Sequence, residues 1–232
     1  MQHSNDKLQQ LATIMGDITI TVLWQSSFCK SLLDTSSPQL KTRVGSGRAT
    51  YCKYHRLNNE LCITYGKKMI SSKFNHNEAE LWLSFRELVN KQYFEGDSRL
   101  LNVLSQTICH EFSHALQQLQ GKVFKGSIHN QHFYQILDQL HINGLAKEVK
   151  QALDNKCNHA GIDLSYAYDT QSTTIADIKF TLNDKVQFRH KKKLMSGKII
   201  KINKRSLTIE TKGLFSTTRW RVPKQHALIS KH

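Results

Sequence analysis

Twelve histidines are spread over the 232 residues, and two of them stand where they can act together. The run His110-Glu111-Phe112-Ser113-His114 places two imidazoles four positions apart with a carboxylate directly after the first. On a helix, four residues rise roughly 6 Å, about one turn, so both rings leave the same face and can share one ion. Zn–N bonds of about 2.0–2.1 Å are reached from that spacing without backbone strain. In an H-E-x-x-H arrangement the glutamate does not bind the metal. It faces the activated water as general base. The flanking residues Ile108, Cys109, Phe112, Ala115 and Leu116 are apolar, so this turn is expected inside the fold. Buried imidazoles and a buried carboxylate need partners there, and one Zn²⁺ is the expected cofactor.

A catalytic zinc takes a third protein ligand and keeps one position open for water. The metzincin continuation requires glycine at position 117 and histidine at 120, where this chain has Gln117 and Gln120, so that class is excluded. The first glutamate downstream, Glu148, is 34 residues beyond His114, whereas His129, His132 and His141 are closer. His129 follows a short loop containing Gly121 and Gly126 and is the favoured third ligand; His132 is next. His132 has a second candidate role, polarising a substrate carbonyl or stabilising an oxyanion.

These residues have to be carried by regular elements. The spacing of Leu101, Leu104, Ile108, Phe112, Ala115 and Leu119 predicts a helix over 98–120, with Asp97 or Ser98 as its cap and Gly121 as its stop. Further helices are expected over 5–15, 77–92, 130–141 and 145–155, and the stretch 18–28 fits either strand or helix. Residues 49–54 and 60–65 read as two strands around a turn at Asn58-Asn59. The polar segment 161–180 reads as a linker. After it the pattern changes to short strands at 186–188, 198–202, 207–210 and 219–222.

Taken together, Gly47-Arg48-Ala49-Thr50-Tyr51-Cys52, Leu61-Cys62-Ile63, Ile108 to Ala115 and His129-Asn130-Gln131-His132-Phe133 resemble the SprT-like zinc metalloprotease family, to which Spartan belongs. The resemblance covers about residues 43–144. It implies an α+β, zincin-like peptidase core over 1–160, with His110, His114 and His129 as zinc ligands and Glu111 as the catalytic residue. Asn130, Gln131 and His132 stand where the family has Gly-Pro-Glu. Only Cys157 and His159 occupy the region where many relatives carry a Cys-rich zinc ribbon, and Cys157 reads as an ordinary core or surface cysteine.

The charge is uneven. The formal net charge is +15, and residues 184–232 hold 14 Lys and Arg against two acids, so most of the excess lies in the last fifth of the chain. Residues 181–232 are expected to form a small basic β-barrel resembling SH3 or KOW modules. Lys191, Lys192, Lys193, Lys201, Lys204, Arg205, Arg219 and Arg221 are its candidate phosphate contacts, and Trp220 is a candidate base-stacking residue. The implied partners are a protein substrate and DNA or RNA, with no membrane. Five cysteines without C-x-x-C spacing and no evident signal segment fit an intracellular setting, cytoplasmic or nucleoid-associated. The resulting expectation is a metalloprotease for nucleic-acid-associated, DNA-crosslinked proteins. Its rival is a non-catalytic nucleic-acid-binding protein with a structural zinc.

Overall fold

The computed structural model of the chain describes residues 4–33, 36–124, 126–165, 180–190, 193–203, 206–213, 216–223 and 227–229. They fall into two compact units, Met1–Tyr168 and Asp169–His232. The first mixes α and β; the described elements of the second are all strands.

The first unit opens with α1 (Asn5–Ile18), where the Ser4 side chain accepts from the Lys7 N–H at 3.3 Å. The ambiguous stretch after it is helical: a π-helical turn, Thr19–Trp24, continues α1, and α2 (Ser27–Lys30) follows. Thr19 is buried at this widening. Its hydroxyl donates to the Met15 carbonyl at 2.8 Å and lies 2.7 Å from the Tyr65 hydroxyl. Such back-bonding competes with the helical ladder.

Strands β1 (Gln39–Gly45), β2 (Tyr51–His55) and β3 (Glu60–Gly66) form a sheet of order β1-β3-β2. The hairpin expected over 49–65 is the antiparallel pair β2–β3, running from Tyr51↔Thr64 to His55↔Glu60 with Asn59 left-handed at φ 45° in the turn. β1 was not among the expected strands. It lies parallel to β3, Gln39↔Glu60 to Gly45↔Gly66, and only Leu40 in it is buried, so its two-residue alternation is faint. β3 is buried along its whole length, as a strand covered on both faces must be.

Next come α3 (Lys67–Ser72), α4 (His76–Ala79) and α5 (Leu83–Asn90). The single helix expected over 77–92 is broken because Trp82 is extended, at φ −80° and ψ 141°, where its indole N–H donates to Ser72 Oγ at 2.8 Å. Phe85 and Leu88 are buried as expected, but Leu81 and Val89 are 45% and 38% exposed.

Helix α6 (Leu100–Leu119) is buried over most of its length and touches α5, α7 (Gln131–Ile142), α8 (Leu145–His159), β2 and β3. Neither expected cap closes α6 with its side chain. Arg99 is the cap position, and the Asp97 carboxylate instead accepts from the Arg99 N–H at 3.0 Å. Gly121, at φ 64°, stops the helix as expected. Buried hydroxyls inside α6 are satisfied locally: Ser105, Thr107 and Ser113 each donate to the carbonyl four residues earlier at 2.8 Å. Cys157 is buried in α8. Beyond it, Ile162 and Leu164 pack into the same core, so the start of the expected linker belongs to the folded unit; residues 166–179 of that segment lie outside the described residues. Among the described residues, no helix is long and apolar enough to cross a membrane.

In the second unit, β4 (Lys185–His190), β5 (Lys193–Ile202), β6 (Ser206–Lys212), β7 (Thr217–Pro223) and β8 (Ala227–Ile229) form one antiparallel sheet of order β7-β6-β5-β4-β8. The expected strands are present, but among the described residues they do not close into a barrel: β7 and β8 are the two edges and do not pair. Val186, Phe188, Ile199, Leu207, Ile209 and Val222 form its small core.

Gly66 joins β3 to α3 under two backbone carbonyls. A Cβ there would lie 2.5 Å from Ala49 O and 2.6 Å from Gly47 O. Gly66→Ala is therefore expected to lower unfolding free energy by about 1–3 kcal/mol, measured by urea unfolding of the metal-free chain.

Candidate metal centre

Three imidazoles meet at one point. His114 Nε2 lies 3.1 Å from His129 Nε2, and His129 Nε2 lies 3.4 Å from His110 Nε2. Two nitrogens on a tetrahedral ion with bonds of about 2.05 Å stand about 3.3 Å apart. The three rings form the one cluster of metal-ligating groups found among the described residues. α6 supplies His110 and His114 from one face. The loop after Gly121 folds back and delivers His129 just before α7, as the spacing predicts.

The outer nitrogens explain why the inner ones converge. His110 Nδ1 is 2.7 Å from Glu87 Oε2, and the Glu87 carboxylate, on α5, is only 3% exposed. His114 Nδ1 is 3.3 Å from Gln117 Oε1. Both oxygens are acceptors, which puts the ring proton on Nδ1 and leaves the Nε2 lone pair facing the cluster. Both of these Nε2 nitrogens face His129 Nε2, so three ring nitrogens converge where one cation could take them all, and this is the test the donor set passes. Burial pushes the His114 ring down to about 3, with the neighbouring His110 and His129 rings adding to the effect. It lowers His129 as well. Neutral imidazole is the form that binds metal.

Gln117, fully buried, also ties down the His129 loop. Its Nε2 donates to Ile128 O at 2.9 Å and to Asn130 Oδ1 at 3.0 Å. Asn130 in turn caps α7, its side chain accepting from the Phe133 N–H at 3.0 Å. Phe133 floors the cluster, with its ring centroid 5.0, 4.4 and 5.0 Å from those of His110, His114 and His129. Gln117 and Asn130, which depart from the metzincin and SprT-like patterns, thus have work of their own here.

Glu111 is 7% exposed and lines the same cavity as the three histidines. The cavity is about 310 Å³, with Tyr51, Cys52, Met69, Trp82, Val123 and Ile128 supplying mostly apolar walls. Burial raises the Glu111 carboxyl above the usual range, opposed by the neighbouring His110 and Lys73 side chains. Lys73 also lines the cavity, fully buried at the end of α3. Its ammonium donates to Ser84 Oγ at 2.8 Å, and burial brings it down to about 7.

The other candidates lie elsewhere. His132 is half-buried and pairs with Gln120, outside the cavity lining. His141 stacks on Tyr93 with ring centroids 3.8 Å apart and bonds Gln106 at 2.9 Å. In the second unit, Lys201 on β5 and Arg219 and Arg221 on β7 are exposed. Cross-strand register puts Lys198, Glu210 and Arg219 in one row and Lys201, Thr208 and Arg221 in the next. Directly opposite residues share a face of the sheet. Trp220 points the other way, half-buried against Phe188, with its indole N–H donating to Thr211 Oγ1 at 2.9 Å. That orientation favours a core role over base stacking. Lys191, Lys192, Lys204 and Arg205 lie outside the described residues, as does the side chain of Lys193.

Glu87, Gln117 and Lys73 were not found from the sequence. Glu87 reaches His110 from a different helix, and no spacing rule connects them. Glu87→Gln removes the negative acceptor while keeping the shape. It is expected to weaken divalent-metal binding about 10–100-fold in a competition titration against a chromophoric chelator, with an unchanged circular dichroism spectrum. Comparison with known protein families, with curated proteins and with solved structures finds no match to this chain.

Proposed function

We propose that this chain is a zinc-dependent peptidase of the SprT-like kind, acting on proteins associated with nucleic acid. The observation that carries the reading is the convergence of His110, His114 and His129 at 3.1 and 3.4 Å beside Glu111, in a cavity that is open to a substrate and not packed shut. The three histidines would hold the ion through Nε2, and zinc when bound would supply a Lewis acid that acidifies water and polarises a carbonyl. Glu87 and Gln117 keep the rings aimed. Glu111 accepts the proton of the attacking water and returns it to the leaving amine. Its raised affinity for protons, a product of burial, suits a group that must first take and then give one. The apolar walls exclude competing water from the reacting centre.

The anchoring part of the proposal rests on the exposed basic rows of the second unit. Lys185, Lys198, Lys201, Arg219 and Arg221 belong to one face with a single acidic residue, Glu210, among them. With Trp220 turned inward, the face offers charge without a stacking platform, which fits contact with the phosphate backbone and little selection among bases.

Glu111→Gln is expected to keep zinc and nucleic-acid binding while lowering cleavage of an unfolded protein by at least about a hundredfold, followed on gels with zinc and DNA or RNA present. Absence of cleavage by the unaltered chain under those conditions would favour the structural-zinc alternative. Replacing Lys198, Lys201 and Arg221 together by alanine should weaken oligonucleotide binding and flatten the slope of log K against log salt by about 2–3, measured by fluorescence anisotropy. An unchanged slope would discard this face as the anchor.

A further inference from the structure

The metal chemistry leaves one pair of side chains in the cavity wall unused. Lys73 stands at the C-terminal end of α3, and Ser84 lies in the first turn of α5. Lys73 Nζ and Ser84 Oγ are 2.8 Å apart, and both residues line the cavity. Lys73 is 0% exposed and Ser84 6%, so the hydroxyl is the member of the pair that a substrate reaches. Burial brings the Lys73 amine down to about 7, and the Glu111 and Glu87 carboxylates pull it only part of the way back. Ammonium and free amine are therefore both populated near neutrality. A serine hydroxyl held against an amine that can be neutral is one arrangement that makes serine a nucleophile.

The hydroxyl proton has two places to go. Thr107 Oγ1 gives its own proton to the Val103 carbonyl at 2.8 Å and lies 3.2 Å from Ser84 Oγ, where it acts as acceptor. With Lys73 charged, the ammonium donates to Ser84 Oγ and the Ser84 proton turns to Thr107. With Lys73 neutral, the same proton turns to Nζ. The break at Trp82 fixes this geometry. Its indole N–H is tied to Ser72, its ring centroid is 5.4 Å from Lys73 Nζ, and α5 starts directly after it. Trp82 caps α5 without a side-chain hydrogen bond. The first N–H groups of a helix have no intrahelical acceptor, so backbone donors for a developing oxyanion lie in the same turn as the hydroxyl.

We propose that Ser84 is a nucleophile for acyl transfer with Lys73 as its base, and that the cavity takes an ester with a short apolar acyl chain. Ser84 Oγ bonds to the acyl carbon as its proton passes to Lys73 Nζ. The bond from that carbon to the leaving alcohol breaks, and the alcohol oxygen takes the proton from Nζ. Water, giving a proton to the same amine, then attacks the acyl-serine; the proton returns to Ser84 Oγ and the acid departs. The acyl chain lies against the apolar walls that Met69, Trp82, Val123 and Ile128 supply. This activity is independent of the peptidase reading and requires no ion.

The test uses the full-length chain in excess chelator, with two probes. An alkyl fluorophosphonate bonds to an activated serine with loss of fluoride, and p-nitrophenyl butyrate leaves a butyryl group and releases nitrophenolate. Mass spectrometry of the digested protein is expected to place the phosphonate on Ser84. The butyrate ester is expected to give a burst of nitrophenolate stoichiometric with the chain. Ser84→Ala should abolish both. Lys73→Met exchanges the amine for an apolar chain and should slow labelling at least about a hundredfold, with an unchanged circular dichroism spectrum. No adduct at millimolar probe, an adduct on another residue, or a folded Lys73→Met protein labelled as fast as the unaltered chain would overturn the proposal. The position of the adduct is read on the unaltered chain, so it decides even where a variant does not fold. Cleavage of protein with zinc but no Ser84 adduct removes this activity alone; an adduct without cleavage supports it and counts against the peptidase.

Discussion

The convergence of three imidazole nitrogens on one point is the constraint on which the rest of the first unit depends. Imidazole rings left to themselves would rotate so that an N–H met a neighbour's nitrogen. Here Glu87 and Gln117 occupy the outer nitrogens of His110 and His114 and fix how those two rings face the cluster. An ion held there would couple metal binding to folding through the same few atoms. It also accounts for much of the surrounding architecture. α5 has to present Glu87 from inside the core, α6 has to be buried deeply enough to keep the His114 ring neutral, and the loop to α7 has to be held by Gln117 and Asn130.

How far the sequence revealed this depended on how local each interaction was. The pairing of His110 with His114 follows from helical pitch, and the run of apolar residues about them placed that helix to within two residues at its start and one at its end. His129 followed from a short loop with two glycines. Glu87 did not, because its partner lies 23 positions away on another helix and carboxylates on amphipathic helices are usually solvated. Gln117 stood in view, but as the absence of a metzincin glycine; three of its four hydrogen-bonding contacts exist only after the loop has folded back.

The fold shows the same division. Helices with a clear period appeared near their expected limits, except where Trp82 left helical geometry to reach Ser72. β1 escaped notice because a parallel edge strand with one buried side chain leaves almost no alternation. In the second unit each strand could be read, but whether they close into a barrel depends on pairing between the first and last of them, and that is a long-range property. The observed order, with β8 beside β4 and β7 at the far edge, leaves an open sheet among the described residues.

Lys73 has a consequence for acid and alkali. Its amine is held at about 7, well below an ordinary lysine, chiefly because burial disfavours the ammonium. In the metal-free protein, between that value and the usual lysine range, the unfolded chain binds a proton that the native one does not. Descending through that window progressively favours unfolding at this site; below about 7 the native amine is protonated too and the loss levels off. Alkali therefore strengthens the native state through this one residue. A neutral-pH penalty so placed, within the influence of the Glu111 and Glu87 carboxylates and in the wall of the histidine cavity, is one that a fold optimised only for robustness would have shed with a single methionine.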